Sequence, residues 1–176
     1  GAQLFEKLYV AIGTDPTKTY LFSEEERFEL LKQCCSSETF IGDGGKRCCL
    51  LYEEEVAKVE PVIMGNCFLV RYCEKVGADW YLRGLRNPTD YAHEKTMAEV
   101  NMGLLPGTYA QPVWVPAAKE HANVSSSIVR ALIGPDGWEY AIHKFVPPPV
   151  WQKLLERFEG TDPFEADRIA NEANDQ

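Results

Sequence analysis

Short β-branched runs alternate with longer amphipathic segments along this chain, and that rhythm restricts the fold more than any other property. Leu8-Tyr9-Val10-Ala11-Ile12-Gly13 reads as a buried strand, followed by the turn Thr14-Asp15-Pro16-Thr17-Lys18. Ser23 with Glu26 three residues on is a capping box, and it opens a helix through about Cys35. Residues 36–58 read as irregular, with a turn at Asp43-Gly44-Gly45 and a short strand at 48–52. Val59 to Met64 is a weaker strand, because Pro61 suits an edge. Asn66 can cap a helix that Gly77 ends, and residues 79–82 form a strand. Asn87-Pro88 begins a helix that runs to about Met102, with Asp90 near its positive end. Residues 111–115 are a strand, Ser125 caps a helix through Ile133, and Gly134-Pro135-Asp136-Gly137 is a turn. Val150, Trp151, Leu154, Leu155 and Phe158 share one helical face.

The rhythm is that of βαβ units, so the expected class is α/β: a Rossmann-like, doubly wound, mostly parallel sheet. The expected organisation is one domain over residues 1–158, with 36–58 as an insertion and 159–176 as an acidic tail. That tail has Glu159, Asp162, Glu165, Asp167, Glu172 and Asp175 against the single base Arg168.

The whole chain has 18 basic and 27 acidic residues, a net charge of −9. Such a balance argues against broad binding to nucleic acid or to an anionic membrane. It leaves room for a small anion held by a few placed cations. No apolar run approaches the ~18 residues of a membrane span. Cytoplasmic is the default compartment, with an organelle left open. The six cysteines stand as Cys34-Cys35, Cys48-Cys49, Cys67 and Cys73. They read as reduced thiols, and the spacing of the two adjacent pairs does not suit a zinc site.

Ligands of open α/β sheets bind beyond the carboxyl ends of the strands. That rule selects the loops 13–22, 83–90 and 116–127. The first carries Lys18, the second Arg83-Gly84-Leu85-Arg86, and the third leads into Ser125-Ser126-Ser127-Ile128-Val129-Arg130. Basic groups, hydroxyls and a helix start brought to one crevice make a phosphate site. Each also has an ordinary reading: a solvated lysine, two surface ion pairs, and a simple helix cap.

These stretches resemble phosphopantetheine adenylyltransferase, a family of the nucleotidyltransferase superfamily with H-x-G-H and I-S-S-S-x-x-R motifs. The likeness runs through 4–13, through Pro16-Thr17-Lys18 to Phe22-Ser23-Glu24-Glu25-Glu26-Arg27, and through 77–86 with Asp90, Tyr91, Glu94 and Asn101 downstream. It closes on Val124-Ser125-Ser126-Ser127-Ile128-Val129-Arg130 and covers roughly 4–158 apart from the insertion.

The resemblance implies adenylyl transfer from ATP to 4′-phosphopantetheine, giving dephospho-coenzyme A and pyrophosphate. It assigns Lys18 to the reacting phosphates and Arg86 to the ATP phosphates, as the catalytic pair. Arg83 would line the phosphopantetheine side, and Glu94 would meet the ATP ribose or adenine. Ser125, Ser126 and Ser127 would hold the β- and γ-phosphates, with Arg130 a further cation of the same site. Mg²⁺ would travel with ATP rather than sit in a protein cage. A homo-oligomer, or a place in a larger complex, is expected by analogy.

The family's pattern opens with a strand and a G-T/S-F-D-P-x-T/H-x-G-H loop, and the sequence here starts where the following helix would end. None of His93, His121 and His143 stands in an H-x-G-H context, and each reads as structural or surface. The family's first strand is therefore expected to be missing or replaced. A longer natural chain, a strand from 48–52 or a partner chain would each fill the gap. A circular permutation would also do so, on the faint echo of that loop in Gly160-Thr161-Asp162-Pro163-Phe164. Two functional readings follow: an adenylyltransferase, or a catalytically degenerate homologue that binds nucleotide or coenzyme A or serves as a structural subunit.

Overall fold

A computed structural model of the chain describes residues 1–36, 40–41, 47–48, 51–104, 107 and 109–158. The element order is β1 (Leu8–Gly13), α1 (Glu24–Cys34), β2 (Phe40–Ile41), β3 (Arg47–Cys48), α2 (Glu53–Val56), β4 (Val59–Gly65), α3 (Leu69–Val76), β5 (Trp80–Leu85), α4 (Pro88–Leu104), β6 (Gln111–Pro116), a 3₁₀ turn (Lys119–His121), α5 (Ser126–Leu132), α6 (Trp138–Ile142) and α7 (Pro148–Phe158). Strands and helices alternate and the two main ladders are parallel, as the α/β reading expected. The chain divides into two compact units, one of 1–65 with 125–176 and one of 66–124.

In the first unit β1 pairs with β4 in parallel, Leu8 opposite Val59 and Ile12 opposite Ile63. The register slips between Ile12 and Gly13, which faces Gly65. Gly65 has φ +67°, and the Thr14 amide donates to its carbonyl at 3.4 Å. The chain thus leaves the ladder just as the β1–α1 loop begins. At the start of α1 the capping box forms as the sequence dictates. Ser23 Oγ accepts from the Glu26 amide, and Glu26 Oε2 accepts from the Ser23 amide. The core lies under α5, α6 and α7. Ile142 and Leu154 are fully enclosed, Phe158 nearly so, and Trp138 meets the Phe158 ring edge-on at 6.4 Å. Burial of each such side chain contributes about 1.5–3 kcal/mol.

In the second unit β5 pairs with β6 in parallel, from Trp80 opposite Gln111 to Leu85 opposite Pro116. Helix α3 lays Val70 and Cys73 over Tyr81 and Ala110. It ends on Gly77 at φ +69°, a left-handed position that glycine adopts without strain.

Several expectations need correction. The strand expected at 79–82 continues through Leu85, because Arg83, Gly84 and Leu85 stay in register with Trp114, Val115 and Pro116. Arg83 is therefore a strand residue and only Arg86 follows the strand. The strand expected over 48–52 does not reach the parallel ladders. Arg47–Cys48 pairs antiparallel with Phe40–Ile41, and Tyr52 leads into α2, where Glu55 Oε2 accepts from its amide at 3.0 Å. Residues 49–50 lie outside the described residues. Asn66 does not cap α3, whose N-cap is Phe68 with no side-chain bond. Helix α6 follows the turn that ends at Gly137, where only a connection was expected. The acidic tail 159–176 lies outside the described residues.

Candidate functional site

The loop from β1 to α1 is organised by its own side chains. Asp15 Oδ1 accepts from the Thr17 amide at 3.0 Å and from Thr17 Oγ1 at 2.7 Å, a local turn typical of aspartate. The Thr17 hydroxyl and amide, with help from Lys18, hold the Asp15 carboxyl below the usual carboxylate range. The Lys18 amide donates to the Asp15 carbonyl at 3.1 Å, and its exposed Nζ stands 3.3 Å from Asp15 Oδ2. The Asp15 amide donates to the Tyr20 hydroxyl at 2.9 Å. Two arginines brace the two ends of the loop. Arg27, on α1, lies 4.1 Å over the Tyr20 ring and donates to the Gly13 carbonyl at 3.3 Å. Arg157, on α7, donates to the Leu21 carbonyl, stacks on Phe22 at 5.0 Å and pairs with Glu26 Oε1 at 2.7 Å.

The same unit carries the serine motif. Ser125 is the N-cap of α5, and its Oγ accepts from the Ile128 amide at 3.2 Å. Ser126 and Ser127 are exposed, and Arg130 Nη2 donates to Ser127 Oγ at 3.2 Å. The simple cap reading is thus satisfied by Ser125, while the next two hydroxyls face solvent.

The second unit holds both arginines of the Arg-Gly-Leu-Arg motif on carboxylates. Arg83 donates to Glu94 through Nε at 2.8 Å and Nη2 at 2.6 Å, a two-point fork. The partly desolvated pair keeps the Arg83 guanidinium still more firmly protonated, chiefly through its hydrogen bonds to Glu94. Arg86 meets Asp90 four residues on, with Nε at 2.9 Å and its backbone amide at 3.0 Å from Oδ2. Its Nη1 also donates to the Val124 carbonyl at 3.2 Å. Arg86 and its backbone amide hold the Asp90 carboxyl below the usual range. Asn87 Oδ1 accepts from the Asp90 amide at 2.9 Å, which caps α4. Glycine at position 84 leaves open space where a Cβ would stand, so the strand presents bare backbone between the arginines.

Lys18, Ser125, Ser126, Ser127 and Arg130 therefore belong to the first unit, and Arg83, Arg86 and Glu94 to the second. Every one of these cations already has an anionic or hydroxyl partner. Glu94, expected to face a nucleoside, is engaged by Arg83 through both oxygens. The carboxylates hold the Arg83 and Arg86 guanidinium groups in defined orientations. His93 and His121 are exposed and His143 is half-buried. Among the described residues no three His, Cys, Asp or Glu side chains gather as a metal site. The sequence assigned no role to Arg27 or Tyr20, and marked Asp90 as a helix-end charge and a position of the family likeness without a partner. The i,i+4 spacing of Arg86 and Asp90 was the available signal for that pair. Arg27 lay inside a quoted motif, but nothing in its spacing announces a contact with a strand end.

Residues 1–132 match the cytidylyltransferase-like family model. The chain is 35% identical over 156 residues to the phosphopantetheine adenylyltransferase of Chromobacterium violaceum, covering 89% of this chain and 83% of the relative. It is 33% identical over 152 residues to that of Neisseria meningitidis serogroup C, covering 86% and 78%. It is 33% identical over 161 residues to that of Caldanaerobacter subterraneus subsp. tengcongensis, covering 90% and 84%. No described helix is long and apolar enough to cross a membrane.

Proposed function

Because the chain belongs to the cytidylyltransferase-like family of nucleotidyltransferases, we propose that it transfers an adenylyl group from ATP to 4′-phosphopantetheine, giving dephospho-coenzyme A and pyrophosphate. The observation that carries this reading is the match to relatives of that name over most of their length, with Lys18, Arg83, Arg86 and the three serines all present.

The chemistry asks little of a general base, since the attacking group is already a phosphate anion. A phosphate oxygen of phosphopantetheine forms a bond to the α-phosphorus of ATP, and the bond to the bridging α–β oxygen breaks. Pyrophosphate leaves with that electron pair. Catalysis then rests on holding donor and acceptor in line and on stabilising charge over the α-phosphate. Lys18 is assigned to the reacting phosphates and Arg86 to the ATP phosphates. Arg83 is assigned to the phosphopantetheine side. Glu94 is assigned to the ATP ribose or adenine side. The hydroxyls of Ser125, Ser126 and Ser127 and the Arg130 guanidinium are assigned to the β- and γ-phosphates. Mg²⁺ enters with ATP as part of the substrate.

The test is pyrophosphate release from MgATP and phosphopantetheine, with calorimetry of ATP, phosphopantetheine and coenzyme A in parallel. Turnover that needs both substrates supports the reading. Binding without pyrophosphate release replaces it with a binding-only homologue, and no binding at millimolar ligand overturns both.

A further inference from the structure

The Lys18 side chain is 68% exposed and pairs with Asp15, itself 40% exposed. Where its ammonium can reach is therefore decided by the backbone of the loop, and the loop's shape is decided by a short chain of contacts. Asp15 folds the turn over Thr17 and Lys18. The Tyr20 hydroxyl holds the Asp15 amide at 2.9 Å. The Tyr20 ring in turn lies under the Arg27 guanidinium at 4.1 Å. Arg27 also takes hold of the strand end, with Nη1 on the Gly13 carbonyl at 3.3 Å and Nη2 at 3.5 Å from Thr14 Oγ1. The Thr14 hydroxyl donates onward to Glu24 Oε2. Arg27 Nε is enclosed and has no hydrogen-bond partner among the described residues. The guanidinium is thus used for its face and its two outer nitrogens, with the third donor left unmatched.

This combination is specific to arginine. A planar guanidinium stacks on a ring through its face while donating in its own plane, and an ammonium cannot do both. We propose that Arg27 is a positioning residue for the transfer reaction, which fixes the Lys18 loop by gripping the end of β1 and the face of Tyr20 together. The proposal rests on the reading of Lys18 as a contact to the reacting phosphates. Arg27 itself touches neither Lys18 nor, on this proposal, any substrate.

The experiment has a structural arm and a kinetic arm. In the first, hydrogen exchange of the peptide spanning 14–22 is compared between the natural chain, Arg27→Lys and Tyr20→Phe. Both variants should exchange faster there and unchanged in α7. Unaltered exchange over 14–22 in Arg27→Lys overturns the proposal whether or not the protein is an enzyme. In the second, Arg27→Lys should lower kcat about 10- to 100-fold, with a smaller change in KM for ATP, as expected of a misplaced catalytic group. The same substitution made in a Lys18→Ala background should cost nothing further in kcat. A full, independent loss in that background would show that Arg27 acts elsewhere and would also overturn the proposal. Should Arg27→Lys fail to fold, Tyr20→Phe carries both arms, because it removes only the hydroxyl on Asp15. Absence of turnover in the natural chain counts against the proposed function, and leaves the exchange arm to judge Arg27.

Discussion

Glu94 grips Arg83 through both carboxylate oxygens, at 2.8 and 2.6 Å, although Arg83 lies on β5 and Glu94 on α4, eleven residues later. The Arg83 side chain is 45% exposed and Glu94 only 15%. Loss of either partner strands a partly desolvated charge. Glu94→Gln should lower stability by about 1 kcal/mol, the upper range for a partly exposed pair. In a double-mutant cycle with Arg83→Gln, most of that loss should vanish. Urea denaturation of the four proteins checks this, and additive losses would show that the fork contributes nothing.

The Arg86–Asp90 pair sets a pH response at the acid end. Arg86 holds the Asp90 carboxyl below its ordinary value of about 3.9. A depressed folded pKa gives a contribution that is complete above the unfolded value and fades as pH falls through the folded one. The pair should therefore survive acidification past the usual aspartate range. Carboxyl NMR of Asp90 should titrate below ~3.9, and Arg86→Gln should return it toward that figure.

Burial pushes the Cys34 thiol up to about 11, with the neighbouring Cys35 adding to the effect. Cys67 is exposed. At pH 8 a thiol of that pKa is about one part in a thousand thiolate. Alkylation should mark the exposed Cys67 faster than the half-buried Cys34. Peptide mass spectrometry of a timed reaction gives the ratio, and equal rates would contradict the burial of α1.

Glu26 has two duties at the start of α1. One oxygen closes the capping box on the Ser23 amide, and the other pairs with Arg157. Ser23→Ala should cost about 1 kcal/mol, the usual loss for an N-cap. Glu26→Ala should cost about 2 kcal/mol, because it also takes the carboxylate from Nη2 of a mostly buried guanidinium. Chemical denaturation ranks the two, and a reversed order would place the Arg157 contact outside the stability of this unit.

Leu154 has no exposed surface in the core under α5, α6 and α7. Leu154→Ala should cost about 3 kcal/mol from lost transfer energy and the cavity left behind. A loss under ~1 kcal/mol in urea denaturation would mean that this core closes readily over the gap.

Elements with a local signal were legible in the sequence. Ser23 and Glu26 announced α1, Asn87-Pro88 announced α4, and Ser125 announced α5, since capping is written within four residues. Elements decided by a partner were not. Arg83 and Gly84 are poor strand formers, and only their register with Trp114 and Val115 draws them into β5. Helix α6 has five residues and no side-chain cap, so Trp138 and Ile142 owe their conformation to the core they fill. The start of α3 likewise lacks a side-chain cap, which misdirected the reading toward Asn66. Of the candidate site residues, the identities of Lys18, Arg83, Arg86 and the serines were readable as motifs. Their carboxylate partners were not, apart from the i,i+4 pair, because Glu94 and Arg83 meet only through the packing of α4 beside β5.

The contacts that Arg27 makes with the start of the Lys18 loop are short in sequence: it reaches back fourteen residues to Gly13 and thirteen to Thr14, whereas Arg157 reaches Leu21 across 136. Loops of about this length close within tens to hundreds of nanoseconds, while a parallel ladder such as that joining β1 to β4 must wait for a crossover of more than forty residues to be ordered. The Asp15, Tyr20 and Arg27 contacts around the lysine thus have low contact order and a kinetic head start over the sheet that receives them and over the Arg157 brace. A slow-folding variant of the ladder would delay the domain without erasing the native bias of this one turn.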